Sequence, residues 1–225
     1  MDFDNKTVYI LDSYGLIYRC YYAFISRPMI NSKGQNVSAT FGFFKSLAQI
    51  FKHYKPNYLI AALDSKTPTF RHKMYTEYKA TRDKTPEDLF AQIDVIEEFL
   101  KVLNVPTIRL DGYEADDLIA TFVKKCNEQG HPCRILSADK DLMQLVDENT
   151  QILKPSKDNT GAGWEVIAEN GVKAEWGVEP KRLLDLLSLM GDSADNVTGC
   201  PGIGIKTGLK LLQEYYDLDG IFSHV

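Results

Sequence analysis

The feature that most constrains this chain is a group of three carboxylates within four residues, formed by Glu114, Asp116 and Asp117. The group stands directly before an apolar run with helical spacing, so we expect it to open a helix. On a helix Glu114 and Asp117 share a face, because residues three apart are neighbours there. Acidic side chains in a first turn also interact favourably with the positive end of the helix dipole. By itself the group indicates either an ordinary helix start or a site for a cation.

Short apolar, β-favouring runs alternate along the chain with segments of helical periodicity. The predicted strands are residues 8–11, 58–63, 107–110, 134–136 and 151–153. This alternation predicts an α/β fold, a parallel sheet with helices on both faces. From about Pro180 the sequence becomes leucine-rich, which predicts an all-helical second unit. At 225 residues and 44% hydrophobic, the chain can bury the core of one domain with such an appendage.

Further acids follow the predicted strands. Asp12 and Asp64 end the first two, and Asp139 and Asp141 follow the fourth. Ligands of parallel α/β sheets bind beyond the carboxyl ends of the strands, so we expect these side chains to converge there. With two acids of the helical unit, the candidate metal ligands are Asp12, Asp64, Glu114, Asp116, Asp117, Asp139, Asp141, Asp192 and Asp195.

Carboxylate oxygens are the ligands that hard cations such as Mg²⁺ and Mn²⁺ prefer, and the His/Cys spacing typical of zinc is absent from the sequence. Nine acids exceed the needs of one ion and suit two, with some contacts through water. Two ions about 4 Å apart can activate an attacking water and stabilise the leaving oxygen of a phosphodiester. The alternative is that each acid merely caps a helix or closes a turn, which is easier to accept for one acid than for the whole set.

Residues 66–84 form a basic, aromatic segment directly after the second predicted strand. Lys and Arg residues alternate there with Phe and Tyr, and the candidates for DNA contact are Arg71, Lys73, Tyr78, Lys79 and Arg82. This alternation is typical of segments that bind single-stranded nucleic acid through phosphate pairing and base stacking. A solvated loop is the simpler alternative, but the position beside the acids favours nucleic acid.

A glycine-rich turn in the helical unit carries Gly202, Gly204 and Lys206. Gly199 and Gly204 have the spacing of a P-loop, but Ile205 separates Gly204 from Lys206, and a predicted helix rather than a strand precedes the turn. We therefore predict a hairpin between two helices whose exposed backbone N–H groups contact a DNA phosphate without reading the sequence. An ordinary glycine-rich helix turn is the alternative.

The composition indicates where the protein is located in the cell and which kinds of partner its charge allows. The four cysteines form no CxxC pair, which predicts reduced thiols in an intracellular, cytoplasmic protein. The amino end is acidic and polar, unlike a secretory signal, and no apolar run approaches the roughly 20 residues that span a bilayer. The net charge of −5 argues at first against DNA, yet cancelling nine carboxylates with metal ions leaves +4, so nucleic acid is not excluded.

Taken together, these motifs resemble the 5′ nuclease family, namely the 5′–3′ exonuclease domain of bacterial DNA polymerase I with its phage and flap-endonuclease relatives. The matching motifs are Leu11-Asp12-Ser13, Leu63-Asp64-Ser65-Lys66, Phe70-Arg71-His72, Tyr78-Lys79-Ala80-Thr81-Arg82, Tyr113-Glu114-Ala115-Asp116-Asp117, Ala138-Asp139-Lys140-Asp141, Gly191-Asp192 with Asp195-Asn196, and the glycine hairpin. The resemblance implies a PIN-like α/β core over residues 1–179, with a basic helical arch at about 66–84. It also implies a helix-hairpin-helix (helix-3-turn-helix) subdomain over residues 180–225.

The resemblance also implies roles for the site residues. All nine acids become ligands, direct or through water, of two Mg²⁺ or Mn²⁺ ions. Lys79 and Arg82, with Arg19, are implied to hold the scissile phosphate, and the glycine hairpin to contact the duplex backbone, with K⁺ as an ion bound there in relatives.

We accordingly predict a structure-specific 5′–3′ exonuclease and 5′-flap endonuclease that hydrolyses DNA at a 5′ end, flap or nick, in primer removal and DNA repair. RNA primers are further substrates by resemblance. We expect a monomer. The carboxyl end has no evident helix cap or polar tail, which suggests a piece of a longer chain, and the sequence leaves open whether a polymerase is fused to it. Two alternatives remain: a non-catalytic DNA-structure-binding protein, which has no need for nine like charges, and a PIN-type ribonuclease, which the hairpin and the basic arch disfavour.

Overall fold

The fold combines a six-stranded sheet with helices on both faces and a small helical unit at its carboxyl end. The computed structural model describes residues 6–156 and 163–224. The strands are β1 Val8–Asp12, β2 Tyr58–Ala62, β3 Thr107–Ile108, β4 Cys133–Leu136, β5 Thr150–Pro155, β6 Trp164–Ile167, β7 Gly191–Asp192 and β8 Val197–Thr198. The α-helices are α1 Ser13–Ala23, α2 Ser38–Tyr54, α3 Phe70–Met74, α4 Glu87–Val102, α5 Ala115–Glu128, α6 Glu169–Trp176, α7 Leu183–Met190, α8 Ile205–Tyr215 and α9 Leu218–Phe222. Short 3₁₀ helices lie at Asp141–Leu145 and Pro180–Arg182.

The sheet has the strand order β3-β2-β1-β4-β5-β6. The first five strands pair in parallel, as the alternation of strands and helices predicts, and β6 pairs antiparallel with β5. Strand β6 was not predicted from the sequence, and its antiparallel pairing adds a mixed edge to the predicted parallel sheet. The connection between residues 155 and 164 is too short for the crossover that a parallel neighbour requires, so the chain returns as a hairpin.

Helices cover both faces of the sheet, and successive side chains of each strand point to opposite faces. Tyr9 and Leu11 of β1 pack in one core with α1, α2 and α4, whereas Ile10 packs in the other core with α5, α7 and part of α8. The sheet thus lies between two hydrophobic cores. Among the described residues, no helix is long and apolar enough to cross a membrane.

The carboxyl ends of the central strands are level with one another. In the parallel register, Asp12 of β1 lies beside Ala62 of β2, and Leu11 lies beside Leu136 of β4. The residues that follow each strand therefore enter the same space above the sheet, which is the convergence expected for the acids.

A β-hairpin interrupts the helical unit, so the prediction of an all-helical unit is wrong here. β7 and β8 pair antiparallel between α7 and α8 and carry Asp192 and, in their turn, Asp195. Gly191 has φ +80, and a Cβ there would lie 2.4 Å from the backbone nitrogen of Gly199. Glycine is required at this crossing, and the close approach holds the hairpin against the end of α7.

The predicted basic arch is only partly helical. Within residues 66–84 the α-helix is limited to α3, and the remainder consists of turns and extended chain. The segment lies on the hairpin of the helical unit: the backbone N–H of Lys79 donates to the carbonyl of Asp195 at 3.0 Å, and the Asn196 amide donates to the carbonyl of Glu77 at 2.8 Å. These contacts bring its cations to the acids.

Candidate active site

Four aspartates form the first carboxylate group, defined by Asp12, Asp64, Asp116 and Asp139. With Glu114 they line a cleft of about 190 Å³ at the carboxyl edge of the sheet. Asp12 ends β1 and caps α1, accepting the N–H of Gly15 at 3.0 Å. The strands thus deliver three of the four, and α5 delivers the fourth.

Hydrogen bonds hold the first carboxylate group in place. Asp12 also accepts the Ser137 hydroxyl at 2.7 Å, and Asp64 accepts the N–H of Ala115 at 2.8 Å, which ties the end of β2 to the first turn of α5. A Cβ at position 15 would lie 2.3 Å from an Asp12 oxygen, so Gly15 gives this carboxylate its room. Because these bonds use the protein's own donors, the carboxylates are oriented before any ion arrives.

The start of α5 combines both interpretations of the 114–117 group. Glu114 is the N-cap residue, its carboxylate accepts from the helix start, and its own N–H donates to Asp117 at 2.9 Å in a capping box. Asp116, one position earlier than Asp117, instead lies near the other three members of the first carboxylate group. The acids are therefore a helix start and a cation site at once.

Charge in the first carboxylate group is unfavourable without a cation. Burial, and then the negative charges of Asp12, Asp139 and Asp64, raise the pKa of Asp116 to about 8. Burial raises the pKa of Asp12 to about 6, although the Ser137 and Gly15 hydrogen bonds oppose the shift. A positive ion among these oxygens would relieve the cost of ionisation.

Three aspartates form the second carboxylate group, defined by Asp141, Asp192 and Asp195. One oxygen of each lies within 4.8 Å of the other two. The ammonium of Lys140 lies 3.1 Å from Asp141 and 2.7 Å from Asp192. Both carboxylate groups supply only oxygen donors, and Lys140 already places a cation at the second, so the donor chemistry fits hard divalent ions.

A larger cleft of about 720 Å³ joins the second carboxylate group to α5 and to the basic segment. The hydroxyl of Tyr78 lies between the two sides, 2.9 Å from Glu114 and 2.9 Å from Asp195. Burial, followed by the charge of Glu114, raises the pKa of Tyr78, so its proton remains available to hydrogen-bond these carboxylates. Tyr78 thus links the basic segment to Glu114 and to the second carboxylate group.

The basic residues of the 66–84 segment contact the acids directly. Lys79 donates to Glu114 at 2.9 Å, and Arg82 donates to Asp195 at 2.5 Å. Arg71 forms a two-pronged pair with Asp117, at 2.7 and 2.8 Å. The structure therefore brings these three basic side chains to the site, where each forms an ion pair with a carboxylate.

Asp117 is engaged more fully than the other acids. Burial tends to raise its pKa, but the hydrogen bonds from Arg71 and the N–H of Glu114 outweigh it, so the pKa lies below its ordinary value. Both oxygens are committed to these partners. Asp117 therefore orients α5 and Arg71, which leaves it less free to be a metal ligand than the sequence suggested.

Of the three basic residues predicted to hold the scissile phosphate, Arg19 lies apart from the two clefts that the acids line. Tyr14, Gly15 and Tyr18 of α1 line the first cleft, whereas Arg19 lies in a separate cleft with Lys45. Successive helix residues are about 100° apart, so the residue after Tyr18 is turned to another side. The expectation that Arg19 holds the scissile phosphate with Lys79 and Arg82 is not supported by this placement.

The remaining predicted DNA contacts lie on the surface. Lys73 is exposed on α3, and Gly202, Gly204 and Lys206 are exposed around the start of α8, outside both clefts. Gly204 is the N-cap residue of α8, and Gly202 has φ +79, a backbone conformation that favours glycine. The turn thus exposes the N–H groups of a helix start, as the hairpin prediction requires.

Two supporting features were not predicted from the sequence. Lys140 lies in the motif Ala138-Asp139-Lys140-Asp141, and a basic residue between two acids is the sequence signal that could have identified it. Arg109, which pairs with Glu97, donates to the backbone carbonyl of Asp64 at 2.7 Å and so supports the second strand end. No local pattern marks Arg109, because its partners lie far away in the sequence.

Without divalent ions, the folded protein should lose stability as the pH rises from about 4 to about 8. The raised pKa values of Asp116 and Asp12, against 3.8 for the unfolded chain, mean that the folded state binds more protons across this window. The lowered pKa values of Asp117 and Asp192 act below 3.8 and do not oppose it. Thermal unfolding in chelator at several pH values checks this. A flat profile, or no gain from added Mg²⁺ near pH 8, would contradict it.

Comparison with known proteins agrees with this architecture. Two family models match the chain: the N-terminal resolvase-like domain of 5′–3′ exonucleases over residues 7–177, and their C-terminal SAM fold over residues 178–225. The chain belongs to the 5′–3′ exonuclease family, a family of nucleases. The resemblance inferred from the motifs is therefore confirmed.

Individual relatives are longer than this chain. It is 50% identical over 221 residues to the DNA polymerase I of Treponema pallidum, covering 98% of this chain and 22% of the polymerase. It is 40% identical over 219 residues to a 5′–3′ exonuclease of Aquifex aeolicus, covering 97% of this chain and 73% of that protein. The chain thus spans less than a quarter of the polymerase it matches.

A solved structure shares the fold. The bacteriophage T5 flap endonuclease, in a pseudo-enzyme-product complex with DNA and metal ions, aligns with a TM-score of 0.73 at 21% sequence identity. The alignment covers 97% of this chain and 79% of that one. The predicted PIN-like α/β fold with a carboxyl-terminal helical unit is confirmed.

Proposed function

We propose that this protein is a structure-specific 5′–3′ exonuclease and 5′-flap endonuclease that hydrolyses DNA phosphodiesters with two divalent cations. The observation that carries the proposal is the pair of carboxylate groups beside a basic segment, whose Lys79 contacts Glu114 and whose Arg82 contacts Asp195. Acids alone suit many cation-binding proteins. Acids in contact with basic side chains suit a reaction on a phosphate.

The two carboxylate groups divide the work of holding the ions. The first carboxylate group, Asp12, Asp64, Asp116 and Asp139, would hold one Mg²⁺ or Mn²⁺, and the second, Asp141, Asp192 and Asp195, the other. Glu114 stands between them, bonded to Lys79 and Tyr78. When bound, such ions lower the pKa of water and stabilise negative charge on phosphate and leaving oxygens.

The chain's own side chains would bind and orient the DNA. Lys79 and Arg82 lie close enough to the acids to transfer from carboxylate to a scissile phosphate once ions neutralise Glu114 and Asp195. Arg71, Lys73 and Tyr78 line or flank the larger cleft, where a single-stranded 5′ end would pass. The products would be a 5′-phosphate on the retained strand and a 3′-hydroxyl on the released piece.

The glycine hairpin would hold the duplex beside the cleft. Gly202, Gly204 and Lys206 surround an exposed helix N-terminus, a site that favours phosphate and reads no sequence. We also propose that this turn binds K⁺. We divide the chain at 179/180 into a nuclease core and this subdomain, and the junction of the two family models at 177 and 178 supports that division.

The comparisons support the proposed partners. The T5 relative was solved with DNA, and the treponemal relative is a DNA polymerase I, so DNA with a 5′ end, flap or nick is the proposed substrate and a polymerase a covalent partner. We also propose that the protein removes RNA primers, takes part in DNA repair, is a monomer and is located in the cytoplasm.

A labelled 5′-flap duplex incubated with the protein tests the function. With Mg²⁺ we expect short labelled products cut near the junction, bearing an extendable 3′-hydroxyl, and no products in chelator. A matched 3′-flap duplex should stay intact. Flap binding without cleavage would make the protein a DNA-structure binder, and preferential cutting of single-stranded RNA would make it a ribonuclease; either result would contradict the proposal.

A further inference from the structure

Lys140 lies where the second carboxylate group would receive an ion. Its ammonium donates to Asp192 at 2.7 Å and to Asp141 at 3.1 Å. The Lys140 side chain is 30% exposed, so water completes only part of its shell and the carboxylates complete the rest. The ammonium is therefore bound at the site rather than merely near it.

The second carboxylate group needs positive charge in any state of the protein. Its three oxygens within 4.8 Å repel one another strongly unless a cation lies among them. Lys140 supplies one charge, and Arg82 supplies another by contacting Asp195 at 2.5 Å. In this structure the protein's own side chains perform that neutralisation.

The two neutralising cations differ in how they are attached. Arg82 is 53% exposed and belongs to the 66–84 segment. Lys140 stands between two acids in the sequence, and its backbone is fixed because the N–H of Asp141 donates to Asp139 at 2.9 Å and the N–H of Asp139 donates to Ser137 at 2.9 Å. Its ammonium can swing aside, but it stays tethered at the site.

We propose that Lys140 is an internal competitor of the divalent cation at the second carboxylate group. The ammonium and the ion require the same Asp141 and Asp192 oxygens, so entry of the ion displaces Lys140. Lys140 thereby weakens the binding of the ion at this site, so a higher concentration of free divalent cation is needed to fill it. In the first cleft Lys79 pairs with Glu114 and Arg82 pairs with Asp195, so among the described residues neither forms an ion pair with the four aspartates there. This inference rests on the proposed function, since it requires the ion sites.

Mn²⁺ binding to the intact protein without DNA tests the competition. Titration followed by electron paramagnetic resonance should show two ions bound by the unmodified chain, one more weakly. Lys140→Met should tighten the weaker site roughly tenfold, because a unit positive charge a few ångströms from the ion is removed. Lys140→Arg should keep the affinity of the unmodified protein, since the charge is retained.

Two controls assign the change. Lys154→Met removes an ion pair of similar exposure, 27%, with Glu175 away from the site, and should alter neither Mn²⁺ affinity. Asp192→Asn, alone or with Lys140→Met, should abolish the weaker site in both backgrounds. Unchanged or weaker binding by Lys140→Met would overturn the inference while leaving the two-ion proposal intact. Absence of Mn²⁺ binding by the unmodified protein would overturn the proposed function itself.

Discussion

Replacing Asp116 by Asn should lower flap cleavage in Mg²⁺ by about 10³-fold or more. Asp116 faces the other three members of the first carboxylate group, and its carboxylate is the one that burial and neighbouring charges disfavour most while no ion is present. An amide of the same shape offers one oxygen and no charge, so it holds an ion poorly. Loss of several kcal/mol of transition-state stabilisation corresponds to that factor. Single-turnover cleavage of a 5′ flap measures it.

The same substitution should stabilise the protein when ions are absent. The neutral amide would remove a charge that Asp12, Asp64 and Asp139 repel, so thermal unfolding in chelator near pH 8 should occur at a higher temperature. Flap binding should survive. Asp94→Asn, an exposed position on α4, is the matched control and should change neither quantity. Undiminished turnover of Asp116→Asn would remove this residue from the ion site.

Lys79→Ala should slow cleavage by about 10²- to 10³-fold while weakening flap binding much less. Lys79 has φ +57, an unfavourable backbone conformation for a residue with a side chain, and its N–H bond to Asp195 helps to maintain it. The conformation brings the ammonium to Glu114 and hence to the place where a phosphate would gain charge. A donor aimed at developing charge contributes more to the transition state than to binding.

The kinetic pattern decides the role of Lys79. The rate of a single turnover and the Kd for flap DNA are measured separately for Lys79→Ala and for the exposed control Lys84→Ala. The control should affect binding slightly and the rate not at all. If Lys79→Ala weakened binding and slowed cleavage by the same factor, Lys79 would be a binding residue only.

The convergence of the strand-borne acids could be predicted because their position depends on local signals. Asp12 follows a short β-favouring run, and Asp64 and Asp139 come just after two more, so a parallel sheet delivers all three to one edge whatever the details of packing. The start of α5 was equally local, since a capping box involves residues three apart.

The division of the acids into two groups could not be predicted, because it depends on how the helical unit packs. Asp192 lies on β7 and Asp195 in the turn before β8, and these two-residue strands are too short to show a periodic pattern. The side of α1 on which Arg19 lies could not be predicted for a related reason. Helical spacing identified α1, but a rotation of one residue decides whether Tyr18 or Arg19 lines the cleft.

We propose that two neighbouring carboxylate groups each hold a divalent cation. Anomalous X-ray scattering from crystals of the protein soaked in Mn²⁺ tests it most directly. We expect two peaks, one among Asp12, Asp64, Asp116 and Asp139 and the other among Asp141, Asp192 and Asp195, with the second stronger in Lys140→Met crystals at low Mn²⁺. A single peak, or peaks away from both groups, would contradict the account.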